Sequence, residues 1–328
     1  MSRLVTLASG QFGDLGLEEL CIVAKDMGYD GLELATHAHF DVTKALDEAS
    51  YIPWVWETLT KYGLTCVAIS AHLTGQCVGD IWDERLDNFA PASLAGKPEA
   101  IRTWAVEEMK RTAQAAKAFG VKVVNGFTGS PIWARWYSYP QTSSEMIEAG
   151  FRLIYDLWTP IFDVFDECGI TFALEVHPTE IAFDYYTTER LLTLFANRPT
   201  LGFNFDPSHL VWQGVNEVTF VRDFASRIYH VHMKDVKLLK NERAGVLGSF
   251  LPFGDTRRSW DFVSVGHGNV DFDGIIRELN GAGYEGPLSV EWEDSGMDRL
   301  TGATESCAYV KRINFSPSLV AFDAELKN

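Results

Sequence analysis

The stretch ECGITFALEVH, residues 167–177, carries three signals in one short run. Gly169 stands just past a helical segment, where glycine supplies the left-handed conformation that closes a helix. A β-prone apolar run follows, and Glu175 and His177 interrupt it at every second position. The same unit recurs as DMGYDGLELAT (26–36), KYGLTCVAIS (61–70), AFGVKVVNGF (118–127) and GAGYEGPLSVEWE (281–293), with Gly28, Gly63, Gly120 and Gly283 in the equivalent place. Adding LVTLASG (4–10), LGFNFDP (201–207) and IYHVHMKD (228–235) gives eight strand candidates. Helical stretches such as 100–119 and 146–167 separate them. Eight strands alternating with helices predict an α/β protein, a (β/α)₈ TIM barrel spanning residues 1–328 as a single domain. A doubly wound sheet would need a glycine-rich turn after its first strand, and ASGQFGDLG (8–16) is a poor match to one.

Three connections are long, at about 74–99, 128–145 and 236–270, and all follow strands. In a barrel they gather at the C-terminal face, where such folds keep their sites. Their aromatic residues (Trp82, Trp133, Trp136, Tyr137, Tyr139, Phe250, Phe253 and Trp260) point to ordered, partly buried lids. Residues from 300 onward read as a further helix with a capping tail over about 313–328.

The formal net charge of −17 argues against a nucleic-acid partner, which would demand a basic footprint. No apolar run reaches membrane-span length, and MSRLVTLASGQ lacks the apolar core of a signal peptide. A soluble cytoplasmic protein without a membrane partner is therefore expected. Five dispersed cysteines suit reduced thiols and neither a disulfide framework nor a zinc knuckle.

Alternation then assigns an inner face. TFALEVHP turns Ala173, Glu175 and His177 one way, and LGFNFDP turns Gly202, Asn204 and Asp206 one way. IYHVHMKD does the same with His230, His232 and Lys234, and PLSVEWED with Ser289, Glu291 and Glu293. The opposite faces are apolar and must meet the helices, so these polar sets point into the lumen. Buried charges are costly unless paired or metal-bound. Glu175, Asp206, His232 and Glu291 are expected at one height, holding one divalent ion. Three carboxylates and one imidazole suit Mn²⁺ first, then Mg²⁺, with Co²⁺ or Zn²⁺ as alternatives. His230 lies one layer deeper, as a hydrogen-bonded core residue.

LEVHPTE, FDPSHLVWQG, HVHMKD, GHGNVDF and GPLSVEWE together resemble the sugar phosphate isomerase/epimerase family of xylose-isomerase-like barrels. That group includes inosose dehydratases, ketose 3-epimerases, C-glycoside deglycosidase catalytic subunits and, more distantly, endonuclease IV. The resemblance implies metal ligands at Glu175, Asp206, His232 and Glu291, proton transfer by Glu175 and Glu291, and a sugar contact at His209. The epimerases place a second acid and an arginine where this chain has Ile181 and Leu238, a departure from simple ketohexose epimerases.

The chemistry implied is proton abstraction next to a carbonyl through a metal-stabilised enediolate. The base is His177, Glu175 or Glu291, and His177 suits an orienting hydrogen bond equally. Lys234 could hold an enolate oxygen; His72, together with Glu33 and His37 of the second strand, reads as a wall or sugar contact. Trp133 suits ring stacking or lid packing, and Arg257 and Arg258 a phosphate site or a solvated pair. Reprotonation gives an isomerase or epimerase acting on a sugar or keto sugar; loss of a substituent gives a lyase or dehydratase. A homo-oligomer or a small partner subunit is compatible with either. A metal-dependent endonuclease and a non-catalytic sugar-binding protein fit less well.

Overall fold

The computed structural model describes residues 3–239, 242–320 and 322–324. Its strands are β1 (Val5–Ala8), β2 (Gly31–Ala35), β3 (Thr65–Ser70), β4 (Val123–Gly126), β5 (Thr171–Glu175), β6 (Leu201–Phe205), β7 (Ile228–Met233), β8 (Asp235–Leu238), β9 (Trp260–Val263) and β10 (Leu288–Val290). Its helices are α1 (Leu17–Asp26), α2 (Val42–Asp47), α3 (Tyr51–Lys61), α4 (His72–Gly79), α5 (Pro98–Phe119) and α6 (Ser144–Cys168). They continue as α7 (Tyr185–Leu194), α8 (Pro207–Val211), α9 (Glu217–Phe224), α10 (Phe272–Gly281) and α11 (Arg299–Ile313). Strands β1 to β7 and β10 pair in parallel and close on themselves through β1 and β10. The expected single-domain (β/α)₈ barrel is the observed fold.

Local chemistry explains the elements that place the site. The Ser143 hydroxyl accepts the Met146 N–H at the start of α6, and Gly169, at φ 66°, closes that helix into β5. The inner stripe of α6 buries Phe151, Ile154, Trp158, Phe162 and Phe165. Trp158, Phe162 and Phe165 stack around Phe172 of β5, with ring centroids 4.8–5.9 Å apart. Each such ring contributes about 1.5–3 kcal/mol of burial. Phe172 and Leu174 thus hold one face of β5 against the helix, which leaves Ala173 and Glu175 to the lumen.

The three lids are more structured than their sequence suggests. The segment expected to open at 74 continues α4 as far as Gly79, because buried Thr74, Gln76, Cys77 and Val78 anchor that helix. The 128–145 connection contains a short turn at Trp133–Arg135 and gives way to α6 at Ser144. The 236–270 connection folds as an antiparallel hairpin, β8 against β9. The lid aromatics are not uniformly buried: Tyr137, Tyr139 and Phe250 stand in solvent, whereas Trp260 is 7% exposed. Of the expected solvated pair, Arg257 is in solvent and Arg258 is not. Asp255 engages Arg257, and Arg258 is buried between Phe253 and Trp260. The expected tail follows α11; Ala321 and residues 325–328 of it, with residues 240 and 241 of the third lid, lie outside the described residues. Among the described residues no helix is long and apolar enough to cross a membrane.

Candidate metal and sugar site

The lumen is polar in two layers. In the lower one, Glu33 of β2 gathers four neighbours. Its Oε2 accepts from the Ser289 hydroxyl at 2.8 Å and lies 2.7 Å from His230 Nε2. His232 Nε2 lies 3.1 and 3.2 Å from the two Glu33 oxygens, and Asn125 donates to Oε1 at 2.8 Å. Burial alone would raise the Glu33 carboxyl, but the two histidines hold it well below its ordinary range. His230 is the deeper histidine and makes a core hydrogen bond, as its depth in β7 predicts.

The upper layer brings together Glu175, Asp206, His232 and Glu291, each offering a ligand atom within 4.8 Å of the others. Glu175 ends β5, Asp206 directly follows β6, and Glu291 directly follows β10. Asp206 turns one oxygen back to cap α8, accepting Ser208 N–H at 2.8 Å, and its other oxygen, Oδ2, has no hydrogen-bond partner among the described residues. His232 Nδ1 is likewise without a properly aligned partner, 3.1 Å from Glu175 Oε2 and 3.5 Å from Glu291 Oε2. Burial lifts the Asp206 carboxyl to about 6, although His209 and Lys234 pull it down. Burial opposes charge on His232 too, yet Glu33 and Glu291 hold that imidazole well above its ordinary value. Lys234 follows the same rule, with Glu291 and Glu293 at 3.0 and 2.8 Å outweighing its burial.

These features fit a divalent cation. Two buried, orphaned donor atoms face one point, three carboxylates exceed the positive charge nearby, and all donors are oxygen or imidazole nitrogen.

A cavity of about 510 Å³ opens above this layer. His177, His209, Lys234, His72 and His37 all line it. His72 Nε2 lies 3.0 Å from Glu175 Oε2, and His209 Nε2 sits 3.3 Å from Glu175 Oε1 and 3.4 Å from Asp206 Oδ2. His177 lies beyond the end of β5, with its ring 4.0 Å from His209. His37 is not in the second strand: β2 ends at Ala35, and His37 reaches the cavity from the turn beyond it. Trp133 does not line this cavity; it borders two neighbouring ones.

Sequence reading gave no role to Gln11, whose amide donates to Glu291 Oε1 at 3.0 Å. Nor did it give one to Trp212 or Phe262, which form a roof with the lid residue Trp260: Trp212 stacks on Trp260 at 4.5 Å, and Lys234 Nζ lies 4.4 Å from the Phe262 ring. Gln11 lies in a single 3-10 turn after β1, and the roof depends on a hairpin, so neither leaves a periodic signal. Asp235 secures that hairpin. Its carboxylate accepts four backbone N–H groups, from Val236, Gly266, Gly268 and Val270, at 2.8–3.2 Å. A side chain on Gly268 would meet Asp235 Oδ1 at 2.1 Å, which explains the glycine in GHGNVDF.

Residues 21–313 match the family described as xylose isomerase-like TIM barrel. Protein YfiH of Bacillus subtilis (strain 168) is 25% identical over 94% of this chain and 98% of its own. An inosose dehydratase of Clostridium botulinum (strain Eklund 17B / Type B) is 35% identical over 33% of this chain and 36% of its own. Among solved structures, the probable 3-DHS dehydratase AsbF of Bacillus anthracis superposes with TM-score 0.67 at 19% identity, covering 94% of this chain and 98% of that one. The 3-keto-D-glucoside 4-epimerase YcjR of E. coli gives 0.66 at 16%, covering 94% and 99%. The IOLI protein with a bound zinc atom gives 0.62 at 18%, covering 94% and 96%.

Proposed function

Because the chain belongs to the xylose isomerase-like TIM barrel family, we propose that it is a divalent-metal-dependent sugar isomerase or epimerase that moves a proton next to a carbonyl. The observation that carries this reading is the convergence of Glu175, Asp206, His232 and Glu291 beneath a sugar-sized cavity. Those four side chains would hold the ion, with Mn²⁺ the first choice for so oxygen-rich a set. Once bound, the ion would polarise a substrate carbonyl and offset the negative charge that follows deprotonation.

The chain's own residues do the rest. Glu175 and Glu291 face the same space and are the proton carriers; His177 stands at the cavity wall as a further acceptor or an orienting group. Lys234, already turned toward Glu291, supplies a fixed positive charge for an oxygen that becomes anionic. His209, His72 and His37 offer hydrogen bonds to hydroxyl groups, and the Trp212, Trp260 and Phe262 roof excludes water.

A second reading, elimination from a keto sugar, is favoured by Ile181 and Leu238. Ile181 is buried among apolar neighbours and Leu238 sits on the hairpin, so neither supplies the acid or arginine of the ketohexose epimerases. The inosose dehydratase relative points the same way. The test is incubation of metal-loaded protein in D₂O with keto sugars, inososes and 3-keto glycosides. Deuterium uptake without loss of a substituent identifies an isomerase or epimerase, and release of water or aglycone identifies a lyase. No exchange with any of them would overturn proton abstraction, and full turnover by Glu175→Gln would remove Glu175 from the chemistry.

A further inference from the structure

The loop between β4 and α6 borders a second cavity, of about 600 Å³, away from the carboxylates. Six of its lining residues carry aromatic rings, beside aliphatic and polar side chains. Trp133 lies nearly parallel to Trp136, with centroids 6.1 Å apart and planes at 18°, and meets Phe183 edge-on at 5.1 Å; Tyr137 and Tyr139 complete the rim. An intermediate cavity, of about 500 Å³, lies between this one and the first and shares walls with both. Ser130 and Trp133 border both the aromatic and the intermediate cavity, and Leu73 and Phe127 border both the intermediate and the catalytic cavity. The chain after β5 runs beneath all three in order. His177 and Pro178 line the first, Thr179 the second, and Glu180 and Ile181 the third. The segment turns tightly, Glu180 N–H donating to the His177 carbonyl at 2.9 Å, so the three linings stand close together.

The floor is held in place at a cost. Thr179 adopts φ 115°, a conformation that side-chain-bearing residues avoid, and its hydroxyl lies 3.3 Å from His177 Nδ1 and 3.2 Å from Glu180 Oε1. Glu180 in turn accepts the Thr128 and Gly129 N–H groups, each at 2.7 Å, and so clamps the base of the aromatic loop. A strained segment therefore ties the catalytic wall to the aromatic cavity.

Most polar groups on the cavity walls are already engaged, and Arg135 and Gln141 at its exposed edge are exceptions among the described residues. The Ser130 hydroxyl accepts from Ile132 and Trp133 N–H, Thr142 donates to the Arg135 carbonyl, and Thr187 is bound within the α7 cap. Arg190 pairs with Glu148 at 2.7 Å and lies 4.0 Å over Phe151. A sugar ring needs many hydrogen-bond partners, more than Arg135 and Gln141 at the edge supply. The surface is instead rich in aromatic side chains, which favour a flat apolar ring.

We propose that this cavity is a subsite for a planar aromatic substituent carried by the sugar substrate, so that the protein acts on aryl-substituted sugar derivatives. The proposal rests on the sugar-transforming reading above and narrows its substrate class. It is tested by equilibrium titration of the metal-loaded protein with phenyl and methyl glycosides of a hexose panel, followed by tryptophan fluorescence and calorimetry. The phenyl compounds bind at least tenfold more tightly; Trp133→Ala removes most of that preference, and Trp133→Phe retains it. Equal phenyl and methyl affinities, no phenyl binding at all, or an undiminished preference in Trp133→Ala overturns the proposal. Asp206→Ala separates the two readings: it loses metal and proton exchange and keeps the aryl preference. If the preference vanishes with Asp206, the aryl group lies over the carboxylates and the subsite assignment is wrong. If the aryl preference stands and no sugar exchanges a proton in D₂O, the subsite survives while the proposed reaction falls.

Discussion

Glu33 and His232 stand 199 positions apart in the chain and meet at the centre of the barrel, with both Glu33 oxygens within 3.2 Å of His232 Nε2. A carboxylate on one imidazole nitrogen fixes the ring and directs the other nitrogen, here Nδ1, toward Glu175 and Glu291. Replacing Glu33 with glutamine keeps the volume and removes the charge. Divalent-ion affinity is expected to fall roughly 10- to 100-fold in Glu33→Gln, as in other sites whose ligand-orienting carboxylate is lost. Competition with a chelating dye measures it, and an unchanged affinity would show that Glu33 only fills the lumen.

The two histidines of β7 should separate in the same assay. His232→Ala is expected to lose stoichiometric metal, whereas His230→Ala keeps it and loses about 1–3 kcal/mol of stability with its buried hydrogen bond to Glu33. Metal content per chain and urea unfolding read the two effects. Equal metal loss from both would contradict the layered arrangement.

Glu180 gives the fold a pH dependence. Burial pushes its carboxyl up to about 8 against the N–H groups of Thr128 and Gly129. The folded chain therefore holds a proton that the unfolded chain releases near its ordinary value of 4.5. The contribution is full below that value and is lost as the pH climbs to about 8, for a total on the order of a few kcal/mol. Urea unfolding of wild type and Glu180→Gln across this range checks it: the difference in stability between them should shift in favour of the glutamine variant as pH rises. A pH-independent difference would contradict the raised carboxyl.

Gly268 and Asp235 set the hairpin. Gly268→Ala forces a methyl group onto the Asp235 carboxylate and is expected to cost about 2–4 kcal/mol or to release the hairpin locally. Limited proteolysis should then cut the β8–β9 connection faster in the variant. Identical cleavage rates would mean that the Asp235 bonds do not hold the lid.

The barrel was legible because its signals are local. A glycine ends each of several helices, and period-two alternation marks the lumen face within single strands, which is why Glu175, Asp206, His232 and Glu291 could be selected together. Glu33 also has lumen parity, yet its importance comes from Asn125, His230, His232 and Ser289 on three other strands, which no short window contains. The hairpin was hidden for a related reason: DVKL and WDFV are short and far apart, and their pairing depends on packing against Trp212 and on the Asp235 bonds. Trp133 shows the limit of composition. An aromatic residue in a strand-following loop belongs at the right face of a barrel, but which cavity it borders is settled by how that loop is clamped.

Strand β7 ends at Met233 and β8 begins at Asp235, so Lys234 alone lies between barrel and roof. The backbone at Lys234 both sets the hairpin's tilt and anchors the side chain whose ammonium lies 3.0 Å from Glu291. Lys234 is thus the fulcrum on which the roof is mounted. A hairpin swing about this joint would carry the Lys234 backbone with it, so the ammonium would keep Glu291 and Glu293 only by turning about its own side-chain bonds.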